Sequence, residues 1–247
     1  MLSHPNIVNV FVFSFDAQVA WIVMEFLDGK PLSDLLDEPL SHEDALSYIK
    51  QMCSALQHAH NIKPQPVVHY DLKPANAFLT RNGVVKLLDF GIARVAPTGR
   101  EDDESDKTLF NPASLGALTP SYASYEMIRG VDPDPRDDIY SLACVAYELL
   151  TGQHPYERTS AVNAQAKRLK VKPVKGLTRG QNKALRNALA FERADRTASV
   201  EDFINELLPQ ETRRSRKILW GGLVASLLLI AASSVIWLPA ALDDWRV

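Results

Sequence analysis

Residues 67–79, VVHYDLKPANAFL, are apolar at both ends and polar in the middle. That middle excludes the simplest fold for such a run. A buried strand would carry His69, Asp71, Lys73 and Asn76 into the interior, and each polar group left unpaired there costs roughly 1–3 kcal/mol. The segment must therefore turn these groups toward one another or toward a polar ligand. A second apolar run, VVKLLDFG at 84–91, also ends in an acid, Asp89.

The spacing narrows the chemistry. His69, Asp71 and Asn76 fit H-x-D-x-x-x-x-N, and Asp89-Phe90-Gly91 follows thirteen residues after Asn76. In a phosphotransfer site each of these parts has work to do. Asp71 would orient an acceptor hydroxyl and take up its proton. Asn76 and Asp89 would offer oxygens to magnesium, which prefers hard ligands and keeps some of its water. Lys73 would set a positive charge against the transferring phosphoryl group. One motif alone could be chance; the pair in this order, each beside a short apolar strand, is a strong signal.

The surrounding pattern predicts an α+β chain. NVFVFSF (9–15) and VAWIVMEF (19–26), with DAQ between, read as a β-hairpin. LDGKP then breaks the pattern. Ser41 is a good N-cap with Asp44 as a weaker capping-box partner. Ala45, Ile49, Met52 and Leu56 share one face of a helix running to about Asn61. Residues 91–118 read as a long loop, functional or disordered. Residues 138–151 are apolar nearly all round and predict a buried helix ended by Gly152. Further helices are expected near 181–190 and 199–208. Cys53 and Cys144 are the only cysteines, both in helix-like apolar patterns, so no disulfide framework is expected and a reducing compartment fits. A net charge of −3 gives no reason to expect bulk nucleic-acid binding.

From about residue 4 to 208 the chain resembles the eukaryotic-like protein kinases, specifically the bacterial membrane-anchored Ser/Thr kinases. HPNIVNV looks like the segment after the αC helix. WIVMEFLDG looks like the strand, gatekeeper and hinge, with Met24 as gatekeeper and Glu25, Phe26 and Leu27 against adenine. HYDLKPAN is similar to the catalytic loop and LLDFG to the magnesium motif. LTPSYASYE resembles the segment usually ending in Ala-Pro-Glu or Ser-Pro-Glu, and ADRTAS the late motif whose arginine, here Arg196, pairs with the glutamate, here Glu126. The resemblance further implies that Thr119 contacts the catalytic aspartate and that Asp138 anchors the catalytic-loop backbone. His69, Phe90 and Gly91 take structural places. Lys73, two residues after the aspartate, marks the Ser/Thr class. The implied fold is the large helical lobe of a kinase with a β-hairpin remnant of the small lobe. The implied cofactors are ATP and Mg2+, and the implied partner is a protein with a Ser/Thr acceptor.

Several positions depart from the family. Tyr70 stands where many members have an arginine that pairs with an activation-loop phosphate, so phosphorylation of 91–118 is not expected to be the main on-switch. The acidic run Glu101–Asp106 could mimic a phosphorylated loop or be solvated and self-repelling. Tyr125 replaces the usual proline before Glu126. His58, His60 and His154 have no evident partner set and are expected at surface or core positions rather than as ligands. KRLKVKPVK, 167–175, could attract acidic substrates or lipid headgroups, or be a solvated linker. No G-x-G-x-x-G occurs, and the only lysine before position 50, Lys30, falls beyond the hinge. A kinase needs both the loop and a strand lysine. Met1 is therefore expected to be internal to a longer reading frame, or the start of a truncated gene, with the apolar hairpin face left open. The alternatives are a membrane-tethered pseudokinase or docking module, and a small-molecule phosphotransferase.

The C-terminal part has its own constraint. Residues 218–242 form 25 residues without a charge, with Trp220 and Trp237 near the ends, and about 20 apolar residues cross a bilayer as a helix. Arg213, Arg214, Arg216 and Lys217 precede the run. The expected organisation is therefore hairpin and hinge (1–27), large lobe (28–208), basic juxtamembrane segment (209–217), one transmembrane helix (218–242) and a short non-cytoplasmic tail (243–247). The kinase part would lie on the cytoplasmic side of the inner membrane. No signal peptide is evident, since the apolar N-terminal run is short and lacks a basic start.

Overall fold

Ala45, Ile49, Met52 and Leu56 are all fully buried, on one face of α1 (His42–His60). The computed structural model describes residues 2–15, 20–36, 40–90 and 119–208. At the start of α1 the Ser41 hydroxyl oxygen accepts from Asp44 N at 3.0 Å and donates to the Asp44 carboxylate at 2.7 Å. The Asp44 side chain thus meets the cap hydroxyl rather than the cap backbone. Such a cap contributes about 1 kcal/mol.

The expected buried helix is α3 (Pro135–Thr151), and it starts three residues earlier than the apolar pattern suggests. The cause is local. Asp134 caps Arg136 N at 2.9 Å, the Asp137 carboxylate accepts from Asp134 N at 3.0 Å, and Pro135 takes the first helical position, where its missing N–H costs nothing. Every residue from Asp137 to Leu150 is buried. Gly152, at φ 69°, ends the helix. Helices α1, α5 (Arg179–Ala188) and α6 (Val200–Leu207) pack around α3. Thr178 and Ser199 cap α5 and α6, which lie within about two residues of the expected spans. Two short helices, α2 (Tyr125–Ile128) and α4 (Ala161–Ala166), were not apparent from periodicity, because neither completes two turns.

Strands β1 (Val10–Phe15) and β2 (Ala20–Met24) form the expected antiparallel hairpin, with an irregularity between Val10 and Val12. Phe11, Phe13, Trp21 and Val23 are exposed on it. A second sheet has the order β3–β4–β5, from Gly29–Pro31, Ala77–Thr80 and Val85–Leu87. β3 falls where the sequence reads as a break. β5 is shorter than the run ending at Asp89: Leu88 N turns to Asn76 O at 2.9 Å, and Asp89 adopts φ 58°, which takes the chain out of the ladder. Beside β5 runs Asn6–Val8, bonded through Leu87 N to Asn6 O at 2.9 Å and Val8 N to Leu87 O at 3.0 Å.

Cys53 and Cys144 are free and buried, and burial raises both thiols well above their ordinary range. Among the described residues no helix is long and apolar enough to cross a membrane. The expected basic segment, membrane helix and tail at 209–247 lie outside the described residues, as do Gly91 and the acidic run at 101–106.

The β3–β4 pairing leaves no room at Gly29, where a Cβ would sit 2.0 Å from Leu79 O. Gly29→Ala is expected to lower stability by about 1–3 kcal/mol by forcing these strands apart. A lower urea midpoint at unchanged m-value checks this.

Candidate active site

The segment between α1 and β4 cannot hold its own shape, because Tyr70 sits at φ 70°. A non-glycine residue there costs roughly 1–2 kcal/mol. Asp138, fully buried in the first turns of α3, supplies the restraint. It accepts from His69 N at 2.8 Å, from Tyr70 N at 3.0 Å and from His60 Nε2 at 2.8 Å. Three donors and the positive end of a helix offset the desolvation of one carboxylate. His60, expected to have no partner, is thus part of this anchor.

With the backbone fixed, four of the expected site residues converge. The Asp71 carboxylate meets Lys73 Nζ at 2.6 Å and Asn76 Nδ2 at 3.0 Å, and Asn76 Nδ2 also donates to Asp71 O at 2.8 Å. Lys73 Nζ donates to Thr119 Oγ1 at 2.8 Å, and Thr119 N approaches Asp71 Oδ1 at 3.4 Å. Asp71 and Lys73 side chains keep about a quarter of their exposure, so the cluster faces solvent. Beneath it His69 is buried, with neither ring nitrogen hydrogen-bonded, and its ring lies 4.6 Å from that of Phe90. Burial pushes His69 below its ordinary value and keeps it neutral.

Asp89 is exposed, and among the described residues its carboxylate has no hydrogen-bond partner. The Asn76 amide spends its N–H groups on Asp71, which leaves Oδ1 uncommitted. The Leu88 N–H···O bond to Asn76 holds the two segments side by side. This oxygen set fits a hard divalent cation completed by water and phosphate oxygens. A cavity of about 400 Å3 is lined by Asp89, Phe90, Met24 and part of residues 2–11.

Glu25 is held on both sides. Its N–H donates to Asn9 O at 2.9 Å, and its carboxylate accepts from Asn9 N at 2.8 Å and Lys86 Nζ at 2.7 Å. Burial opposes its charge, but Lys86 and the Asn9 N–H outweigh this and hold the carboxyl low. Leu27 is half-buried, and Phe26 points into solvent at 91% exposure.

The segment from Thr119 to Ile128 hangs from the same helix as the segment that carries Asp71. Glu126 and Arg196 pair at 2.7 Å, with the Arg196 side chain fully buried and also bonded to the carbonyls of Arg136, Ala190 and Phe191. Sequence reading missed Asp137, which accepts from Ser124 Oγ at 2.9 Å and Arg193 at 2.9 Å, with Arg196 at 3.4 Å. Its signal was available: two adjacent carboxylates on a helix otherwise apolar all round require partners. Also missed was the link in which the Tyr122 hydroxyl donates to Glu148, which pairs with Arg158 at 2.7 Å.

His154 completes this anchor. Its Nε2 meets Ser121 O at 2.9 Å, so it must carry the proton, while Nδ1 accepts from Tyr156 N at 3.2 Å and Arg158 N at 3.1 Å. Burial, with the Arg158 charge, lowers its pKa to about 4. His58 stacks against His4 at 5.1 Å. Among the described residues no cluster of His, Cys, Asp and Glu forms a closed metal site.

Comparison with known proteins bears on this geometry. The model of the protein kinase domain family matches residues 1–217. The serine/threonine-protein kinase Pkn1 of Myxococcus xanthus is 37% identical over 237 residues, covering 90% of this chain and 33% of that protein. The serine/threonine-protein kinase PknB of Mycolicibacterium smegmatis is 37% identical over 180 residues, 70% of this chain and 27% of its own length. PknB of Mycobacterium tuberculosis is 30% identical over 249 aligned residues, 95% of this chain and 38% of its own length. The chain thus spans about a third of the length of these relatives.

Two outcomes test the anchors. Asp138→Asn replaces an acceptor with an amide that faces two backbone donors, and is expected to cost about 3 kcal/mol in urea denaturation. For His154, the folded pKa of about 4 lies below the ordinary 6.5, so the unfolded chain takes up a proton that the folded chain refuses. The stability is present above 6.5 and is lost as the pH falls toward 4. Between about pH 7 and pH 5 this amounts to about 2 kcal/mol. Denaturant titrations across that range should show the loss, and His154→Gln should flatten it.

Proposed function

This chain belongs to the protein kinase domain family, and on that premise we propose that it serves transfer of the γ-phosphoryl group of ATP to a serine or threonine hydroxyl of a protein in bacterial signalling. The observation that carries the reading is the Asp71 carboxylate, oriented by Asn76 and Lys73 and flanked by Thr119. Relatives named serine/threonine kinases support the class of acceptor, and the docking-module alternative draws no support from them.

Asp71 accepts a hydrogen bond from the substrate hydroxyl, aims its oxygen at the γ-phosphorus and takes its proton. The new O–P bond forms as the bond to the bridging oxygen breaks, and ADP leaves. Lys73, within reach of both Asp71 and Thr119, sets positive charge beside the phosphoryl oxygens. Asn76 Oδ1 and the Asp89 carboxylate would hold magnesium, which would neutralise charge on the phosphate chain. Met24 borders the nucleotide, and Glu25 to Leu27 present backbone groups to adenine. Glu126 and Arg196 fix the segment on which the protein substrate lies.

Residues 218–242 we read as a single membrane span, with the basic flank at 213–217 placing the kinase unit on the cytoplasmic side of the inner membrane.

Where residues 1–247 are joined to a segment that supplies the Gly-rich loop and strand lysine the reaction needs, Asp71→Asn should lower kcat for phosphate transfer from ATP by at least about 100-fold, with KM for ATP changed little. Loss of less than about ten-fold in a variant of unchanged urea midpoint would remove Asp71 from the proton-accepting role.

A further inference from the structure

From Thr159 to Phe191 the sequence contains no Asp or Glu, yet it holds eight of the chain's 27 Lys and Arg. Five lie in the connection between α4 and α5: Lys167, Arg168, Lys170, Lys172 and Lys175. The other three, Arg179, Lys183 and Arg186, recur at i, i+4 and i+7 on α5 and so share one face. The opposite face buries Ala184, Leu185 and Ala188. All eight bases are exposed. Among the described residues, the seven Lys and Arg that make carboxylate ion pairs all lie elsewhere.

The connection is not a loose linker. Val174 is buried, its N–H donates to Asn182 Oδ1 at 2.7 Å, and Asn182 Nδ2 returns bonds to the carbonyls of Val174 and Leu177 at 3.2 Å. The lysines are therefore carried on a segment tied to the helix with the other three bases. This concentrates positive charge without ion-pair partners among the described residues, in a chain whose net charge is −3.

Two observations choose the partner. Gln181 Nε2 of α5 donates to Leu207 O at 2.9 Å, so the chain leaves α6 beside this basic helix. It then continues through Arg213, Arg214, Arg216 and Lys217 into the uncharged run at 218–242. Further, no aromatic residue occurs from Glu157 to Ala190, so the surface has no platform on which nucleic-acid bases could stack. Dispersed lysines on an exposed surface suit a diffuse layer of anionic headgroups, to which each base near the surface adds attraction.

We propose that the face formed by residues 167–186 lies against an anionic phospholipid surface and docks the kinase unit on it. This rests on the reading of 218–242 as a membrane span. The full chain is reconstituted in nanodiscs of phosphatidylcholine alone or with about 30% phosphatidylglycerol, and lysine acylation rates are read by mass spectrometry. Lys167, Lys170, Lys172, Lys175 and Lys183 should label at least about three-fold more slowly in the anionic discs at about 0.15 M salt, and recover at about 1 M. The exposed Lys50 and Lys63 should not change. The triple variant Lys170→Gln, Lys172→Gln, Lys175→Gln should lose the protection at Lys183 while keeping its thermal unfolding midpoint in detergent. Equal labelling in the two discs overturns the proposal. If the chain is recovered with neither disc, the span reading fails, and the face is then judged by co-sedimentation of the same chain with phosphatidylglycerol vesicles: pelleting supports the face, and its absence overturns it. Equal protection by polyglutamate or RNA without lipid overturns the lipid assignment.

Discussion

Two neighbouring carboxylates at the start of one buried helix support both halves of the site. Asp137 and Asp138 are about 100° apart around α3, so they face different parts of the molecule. Asp138 accepts from the backbone of His69 and Tyr70 and so shapes the segment that carries Asp71. Asp137 takes Ser124, Arg193 and Arg196 and so shapes the segment that follows Thr119. Burying two adjacent acids is unfavourable unless each is met by donors, and here the folded positions of the two segments provide those donors. The loops and the helix are consequently mutually dependent: neither carboxylate is tolerable without its loop, and each loop takes part of its restraint from α3.

The parts legible in the sequence are those governed by short-range periodicity. Ala45, Ile49, Met52 and Leu56 mark α1, and the all-round apolar run marks α3, because a helix repeats its environment every few residues. Strand β3 was illegible because Gly29, Lys30 and Pro31 have no strand preference; they pair because Gly29 lets the backbone approach Leu79 O. The site was legible in its motif residues but not in its closure. Lys73 and Thr119 stand 46 positions apart, and nothing local to either predicts a 2.8 Å bond. His60 and His154 read as unpartnered because their partners, Asp138 and the Ser121 carbonyl, come from remote turns.

The two sides of the cleft are tied through β5. Lys86 on that strand reaches Glu25, and the residues just beyond it lead through Leu88 to Asp89. One three-residue strand thus links Glu25 to the carboxylate suited to a divalent cation. Buried neutral imidazoles serve the same purpose at two other places. His69 supports the ring of Phe90 from below, and His154 fastens Ser121. Burial disfavours charge on both rings.

The cap of α3 also governs how this region can vary in length. Asp134 closes the first turn, and the paired acids follow at fixed positions inside it. Residues added to the turn after α2, ahead of Asp134, would lengthen an exposed connection and leave the cap and both carboxylates in phase. One residue added between Asp134 and Asp138 would rotate everything after it by about 100°, turning Asp138 away from the His69 and Tyr70 amides. Insertions and deletions in descendants of this gene should therefore collect before the cap and stop sharply at it, a boundary set by helical phase rather than by distance from the cleft.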